Sequence, residues 1–139
     1  MVRGNRYTKF RWGMAVPFDG TSKASVAAQS ITVLGLLECF FEGGARWARR
    51  TYHAPDGKRC LLGAIDHIRC ETGVTNDCAA EYLAGAINLR QLSKGLPPLG
   101  DRPTETVIGF NDAFARRYSE IADIMNAAKE LAATDAHIG

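Results

Sequence analysis

Cys60 is the residue of this sequence with the clearest potential for covalent chemistry. It follows the basic pair Lys58 and Arg59 and precedes an apolar helical pattern, so it is predicted to lie where a helix begins. The positive end of a helix dipole and nearby cations both stabilise a thiolate, which is the nucleophilic form of cysteine. His53 could act as the base and Asp112 could orient it, an arrangement typical of cysteine-dependent hydrolases and transferases.

Two alternatives to this catalytic hypothesis remain open. His67 could replace His53 as the base, and Asp66 could replace Asp112 as the orienting carboxylate. The other alternative assigns no chemistry to Cys60, because the Leu-Leu-Gly-Ala sequence that follows it is typical of a packed core, where cysteine is inert. We favour the inert thiol.

Support for a metal or a nucleotide cofactor is weak. Histidine and cysteine donors are present, but only His67 and Cys70 are close in sequence, and the paired spacing of a zinc knuckle is missing. No GxGxxG, Walker-type or HExxH motif occurs in the chain. We therefore expect no metal and no cofactor.

Basic residues are concentrated in two segments that also contain aromatic residues. Residues 1–23 and residues 46–59 each carry a net charge of +4, whereas residues 60–139 carry −4. Basic surfaces attract acidic partners, and cations mixed with aromatic rings are also typical of grooves for single-stranded nucleic acid. Alternatively, the aromatic residues of 46–59 only attach this segment to the helices. The candidate contact residues are Arg11, Trp12, Trp47, Arg49 and Arg50.

Composition defines the class of protein. The 139 residues are 46% hydrophobic and 23% charged, which is typical of one soluble globular domain and excludes a disordered or collagen-like chain. The four cysteines lack the spacing of a disulfide scaffold and indicate a reducing compartment. The uncharged stretch 24–37 follows a basic segment, as in a signal peptide, but it is short for a membrane span and no clear cleavage site follows. We expect a cytoplasmic protein with no membrane contact.

Apolar spacing and capping residues predict five helical segments. They cover about residues 22–42, 61–73, 77–94, a short stretch that begins at Pro103 and includes Phe114, and a final stretch that contains residues 120–131. Asn111 and Asp112 lie at the junction of the last two. They could bind a ligand, but we favour a structural role, because such side chains satisfy backbone groups at helix ends.

A single β-hairpin is predicted at about residues 46–61. Two short β-like runs flank Ala54-Pro55-Asp56-Gly57, which is a typical turn sequence. Since two strands alone are marginally stable, the hairpin is expected to lie against helices. The predicted fold is mainly α within an α+β class: a compact bundle of about four to five helices with one hairpin. A basic extended arm, residues 1–23, precedes a single domain of residues 24–139.

Short motifs in this sequence resemble a family of small bacterial and phage-associated proteins of unknown function. The similarity covers about residues 24–133, and its motifs are Trp47, the Asp56-Gly57 turn, Cys60–Ile65 and Val107–Asp112. The sequence differs from the family pattern at Phe110, where tryptophan is common, and at Arg117, where Ser or Thr commonly opens the last helix. The resemblance implies a compact, mainly helical fold with one hairpin, and it implies no activity.

We expect this protein to act by binding rather than by catalysis. The expected partner is an acidic protein surface or a larger assembly, contacted by the arm and the hairpin. RNA or DNA is the alternative partner, and cysteine-dependent catalysis at Cys60 is a second alternative. The sequence indicates no particular oligomeric state.

Overall fold

The computed structural model describes residues 22–138, and the regular structure in this range is helical. The predicted predominance of helix is confirmed. The arm residues Arg11 and Trp12 lie outside the described residues. The helices are α1 (Lys23–Phe41), α2 (Leu61–Thr72), α3 (Ala79–Ser93), α4 (Pro103–Asn111) and α5 (Tyr118–Ile138), and a 3₁₀ turn, Glu42–Gly44, follows α1.

The predicted β-hairpin is wrong, because residues 22–138 contain no β-strand. Residues 45–60 instead form an irregular loop, called here the connecting loop, whose ends meet at one bridge between Trp47 and Arg59. The N–H of Ala48 donates to the carbonyl of Arg59 at 2.9 Å, and the N–H of Arg59 donates to the carbonyl of Arg46 at 2.9 Å. Two more backbone hydrogen bonds join the runs, from the N–H of Cys60 to the carbonyl of Thr51 at 3.0 Å and from the N–H of Ala54 to the carbonyl of Lys58 at 2.8 Å. No regular strand forms, since Arg50, between the two groups of bonds, adopts a left-handed conformation with φ of +60° and interrupts the pairing.

Tertiary hydrogen bonds explain why the two β-like runs do not form the regular strands of a hairpin. The predicted turn does form: the N–H of Gly57 donates to the carbonyl of Ala54 at 3.0 Å, and Gly57 has φ of +90°. Before the turn, however, the N–H of Arg50 donates to a carboxylate oxygen of Asp112 at 2.7 Å. A side chain from a distant helix end thus replaces the cross-strand partner that a hairpin would need.

One hydrophobic core joins all five helices. Helix α5 packs along α1 and α3, while α2 and α4 close the remaining sides. Removing each large apolar side chain from water contributes roughly 1.5–3 kcal/mol. The fully buried large side chains are Val33, Leu34, Leu37, Phe41, Leu61, Ile65, Leu83, Ile87, Val107, Phe110, Ile121 and Met125.

Helix α1 is the most apolar of these elements. Together with the turn after it, residues Lys23–Gly44 are long and apolar enough to cross a membrane by length and composition, a test that core helices and signal sequences also pass. Ser22 caps this helix, accepting from the N–H of Ser25 at 3.1 Å. Buried Ser30 accepts from the N–H of Cys78 at 2.8 Å and so ties α1 to the start of α3.

Asp77 carries the buried ion pair that links α2 to α3. Its carboxylate is fully buried and accepts from Arg69 Nε and from the second guanidinium nitrogen, each at 2.8 Å. The N–H of Ala79 also donates to it at 2.9 Å. Burial alone would raise the pKa of Asp77, but the hydrogen bonds from Arg69 and Ala79 outweigh it and hold the pKa below its ordinary value.

We expect Asp77→Asn to lower the free energy of unfolding by about 1–3 kcal/mol at neutral pH, because the amide loses the ion pair with Arg69. A carboxyl whose pKa is depressed by folding contributes stability above its ordinary value, 3.8 for Asp77, and loses that contribution as the pH falls below it. The difference between the two proteins should therefore shrink in acid. Urea unfolding followed by circular dichroism between about pH 7 and pH 3 measures it. Glu71→Gln, at an exposed carboxylate of α2, is the control. If the difference in unfolding free energy between the Asp77→Asn protein and the unmodified protein did not change with pH, the lowered pKa of Asp77 would be contradicted.

Candidate functional site

The connecting loop lies against the end of α4 and the turn that leads to α5. Asn111, the last residue of α4, is 1% exposed and binds three separate backbone or side-chain groups of other segments. Its Oδ1 accepts from Trp47 Nε1 at 2.7 Å and from the N–H of Leu61 at 3.1 Å. Its Nδ2 donates to the carbonyl of Ala48 at 3.1 Å and to Asp112 Oδ1 at 2.8 Å. One amide therefore fastens both ends of the connecting loop to α4, as the favoured structural hypothesis for this pair predicts.

Arg49 and Arg50 attach the connecting loop a second time, to Asp112 and Ala113 just after α4. Besides the bond from the N–H of Arg50, Arg50 Nε donates to the carbonyl of Asp112 at 3.5 Å. A guanidinium nitrogen of Arg49 donates to the carbonyl of Ala113 at 2.9 Å. The left-handed conformation of Arg50 is costly for a residue with a Cβ, and the bond to the Asp112 carboxylate offsets that cost. Arg49 and Arg50 are thus held in defined positions.

The other side of the connecting loop touches the first turn of α2. A Cβ added to Gly63 would lie 2.0 Å from the carbonyl oxygen of Tyr52, so only glycine allows this approach. The hydroxyl of Tyr52 donates a short hydrogen bond to Asp66, and this bond raises the pKa of Tyr52. The loop is therefore packed between α2 and the end of α4.

Phe114 is the exposed aromatic residue that the sequence interpretation missed. Its spacing from Phe110 predicted that it continues α4, but α4 ends at Asn111 and Phe114 is 88% exposed. Ala115 adopts φ of +62°, which turns the chain before α5. The signal that could have identified it was the Asn-Asp pair itself, since such residues favour helix ends.

Arg116 also fixes the turn between α4 and α5, through contacts that do not involve the connecting loop. Its guanidinium lies 3.7 Å from the ring centroid of Phe110, its Nε donates to the carbonyl of Phe110 at 2.7 Å, and it pairs with Glu120 at 3.0 Å. Burial lowers the pKa of Arg116. The hydrogen bond from the N–H of Arg117 lowers the pKa of Glu120, and the positive charges of Arg116 and Arg90 lower it further. Phe114 thus projects from a turn that is anchored on both sides.

The proposed catalytic residues lie in three different settings. Cys60 directly precedes α2, as predicted, and its half-buried sulfur accepts from the N–H of Gly63 at 3.4 Å. His53 is exposed on the connecting loop, and Asp112 is engaged with Arg50. No hydrogen bond links Cys60 to either residue in the part of the chain that is described. A catalytic nucleophile needs a base within hydrogen-bond reach, and this structure shows no such bond for Cys60 in the described residues. Catalysis at Cys60 therefore stays a prediction.

The predicted contact residues of the loop differ in how much of them can reach a partner. Trp47 is half-buried, with its indole bound to Asn111 and its ring 6.1 Å from that of Tyr118. Arg49 is also half-buried, whereas Arg50 is exposed. Trp47 thus makes packing contacts within the fold, and its role as a partner contact stays a prediction.

No metal-binding cluster is seen within residues 22–138: no group of three or more His, Cys, Asp or Glu side chains is arranged to hold an ion. The ring of His67 instead packs against Phe40, with 5.2 Å between centroids. The expected absence of a metal and a cofactor stays a prediction. The free cysteines are Cys39, Cys60, Cys70 and Cys78.

Comparison with known proteins identifies one family. The sequence model of a family of unknown function, DUF6197, matches residues 44–131, from the start of the connecting loop into α5. No curated protein and no solved structure matches the chain. The matched range contains Trp47, Gly63 and Asn111, which together hold the loop on the helices; an association with bacteria or phages stays a prediction. The chain belongs to the DUF6197 family of proteins of unknown function.

Proposed function

We propose that this protein is a non-enzymatic interaction domain that binds an acidic protein partner. The surface that would make the contact consists of Arg49, Arg50 and Phe114 and is called the Phe114 surface below. The observation that carries the proposal is the 88% exposure of Phe114, which follows Asp112 and Ala113, the two residues whose carbonyls accept from the side chains of Arg50 and Arg49. Arg11 and Trp12 of the arm stay predicted contact residues.

Exposed aromatic rings flanked by arginine are the residue types that dominate binding energy in protein interfaces. Leaving a phenylalanine ring in water is unfavourable, and burying it in a partner's pocket recovers the free energy. Arg49 and Arg50 are already held by bonds to Ala113 and Asp112. Little conformational entropy is then lost when a partner binds, which favours affinity.

The charge around the Phe114 surface indicates the sign of the partner. The connecting loop carries five bases and one acid, and Arg46, Arg50 and Lys58 are exposed. Stacking on nucleic-acid bases, by contrast, requires free aromatic faces. Trp47, which was expected to supply one, is packed against Tyr118 and bonded to Asn111. Phe114 still offers a free aromatic face. RNA or DNA is therefore the alternative partner, and the nuclease treatment described below distinguishes it from an acidic protein.

Phe114→Ser should weaken partner binding about tenfold, because it removes the apolar anchor. The assay is affinity capture from a nuclease-treated lysate of the source cells, with dissociation of the recovered partner then measured on the purified pair. Arg50→Gln should have a smaller effect that disappears at high salt.

Leu36→Ser is the matched control, since Leu36 is an exposed apolar residue of α1 outside this surface. It should leave binding unchanged. Equal binding by the Phe114→Ser protein would refute the proposed surface. Capture that is lost on nuclease treatment would assign the function to nucleic acid instead.

A further inference from the structure

An open apolar groove lies between α3 and α5, and nothing in residues 22–138 fills it. It has a volume of about 570 Å³. Leu89, which lines it, is 55% exposed. Its apolar lining includes Ala86, Leu89, Ala127 and Leu131.

The edge of this groove is acidic. Asp123 and Glu130 line it, and neither carboxylate makes an ion pair with any residue of the described range. The basic residue at the groove, Arg90, is already paired with Glu120 at 3.0 Å. The groove therefore suits a segment that has apolar side chains on one side and positive charge on the other.

The N-terminal segment enters the fold at one end of this groove. Lys23 Nζ lies 3.6 Å from Asp135, and the hydroxyl of Tyr82 donates to Asp135 at 2.6 Å. Ala86 follows Tyr82 by one helical turn, and Leu131 precedes Asp135 by one turn. The start of α1 thus lies on the side of the end of the groove that Thr134 lines.

Residues 1–21 have the composition that such a groove would accept. They carry four bases and one acid, a net charge of +3. In an extended chain alternate side chains share one side, and every second residue from 10 to 18 is apolar. Val16 precedes a proline, which favours that conformation. The apolar series is Phe10, Trp12, Met14, Val16 and Phe18, and bases occupy intervening positions 9 and 11.

The length of the segment also fits. The groove follows α5 from Thr134 to Asp123, about 16 Å at the rise of an α-helix. The ten residues between Trp12 and Ser22 reach about 33 Å when extended. Trp12 can therefore reach any part of the groove without strain.

We propose that residues 1–21 dock in the groove between α3 and α5 of their own chain, with the apolar series on Leu89 and Leu131 and the bases near Asp123 and Glu130. Attachment at Ser22 gives the segment an effective concentration on the order of millimolar, which favours it over a separate molecule. This inference is independent of the Phe114 surface. A docked arm would not present Trp12 to a partner, so this inference replaces the contact role predicted for the arm and leaves the Phe114 surface unaffected.

Fluorine NMR of the full-length protein labelled with 5-fluorotryptophan tests this inference. Two resonances are expected, from Trp12 and Trp47, and Trp12→Phe assigns them. A docked Trp12 should resonate away from the position of free 5-fluorotryptophan. Leu89→Asp, at an exposed helix position, should move the Trp12 signal most of the way to that free position and leave Trp47 unchanged, which reports that the fold is intact.

Ile108→Asp is the matched control, because Ile108 is 43% exposed on α4 and does not line the groove. It should leave both signals in place. The inference is overturned by a Trp12 signal at the free position in the unmodified protein, or by no response to Leu89→Asp. A Trp12 signal that changes on dilution would also overturn it and assign the groove to a second copy of the chain.

Discussion

Replacing Asn111 with alanine should lower the free energy of unfolding by about 3–5 kcal/mol, a large part of the stability of a typical domain. The substitution leaves the N–H of Leu61 without its partner in a buried place, and the indole N–H of Trp47 and the carbonyl of Ala48 without theirs in half-buried places. An unsatisfied buried polar group costs about 1–3 kcal/mol and a half-buried one less, so the three together account for the expected loss. Urea unfolding followed by circular dichroism measures the loss.

Asn126→Ala is the control for this measurement, because Asn126 is exposed on α5. It should leave stability nearly unchanged or raise it slightly, since alanine is the better helix former. A loss below about 1 kcal/mol for Asn111→Ala would contradict the role assigned to Asn111. The emission of Trp47 in a Trp12→Phe background provides a local readout, since the indole would lose its hydrogen bond.

Gly63→Ala should cost about 2–4 kcal/mol, because the added Cβ would meet the carbonyl oxygen of Tyr52 at 2.0 Å. The collision would be between the backbone of Tyr52 and the first turn of α2, which contains Gly63. Neither segment can move away without breaking hydrogen bonds that hold it in place. Thermal or urea unfolding measures the change. We also expect faster trypsin cleavage at Arg50 and Lys58, because the connecting loop would be displaced.

Gly109→Ala provides the matched comparison. Gly109 lies inside α4, and an added Cβ there meets nothing within 4 Å. Alanine should then stabilise the protein by about 0.5–1 kcal/mol through its better helix propensity. Equal effects of the two substitutions, or unchanged cleavage of the loop in Gly63→Ala, would disprove the close approach at Gly63.

Both substitutions also bear on the proposed binding function. Asn111 and Gly63 hold the connecting loop, and the loop supplies Arg49 and Arg50 to the Phe114 surface. A loosened loop would raise the entropy cost of binding, so partner affinity should fall in proportion to loop mobility. Phe114→Ser should instead lower affinity without a loss of stability.

The positions of the helices could be predicted from the sequence because their signals are local. Ser22 caps α1, Pro103 starts α4, and Gly73, with φ of +75°, ends α2. The apolar spacing of α5 likewise identified its buried residues, Ile121, Ile124 and Ala128 among them. Each of these features depends on residues within one or two turns of one another.

Residues 46–61 and Phe114 could not be predicted in the same way. The β-like runs of the loop predicted a hairpin that does not form, because regular pairing between them depends on which acceptors are near. Asn111 and Asp112, about 60 residues away in sequence, supply those acceptors and bend the loop at Arg50. Phe114 has the spacing of a helical core residue, yet it is exposed because the helix ends at these same two residues.

Local signals in the sequence predict the helical class, the order of the five helices and the turn at Gly57. The form of the connecting loop, the half-buried position of Trp47, the end of α4 and the exposure of Phe114 depend instead on contacts between distant segments. The physical reason is that helix hydrogen bonds and caps are made within a segment, whereas a loop without regular pairing must satisfy its backbone groups with residues distant in sequence. Here those residues are Asn111 and Asp112.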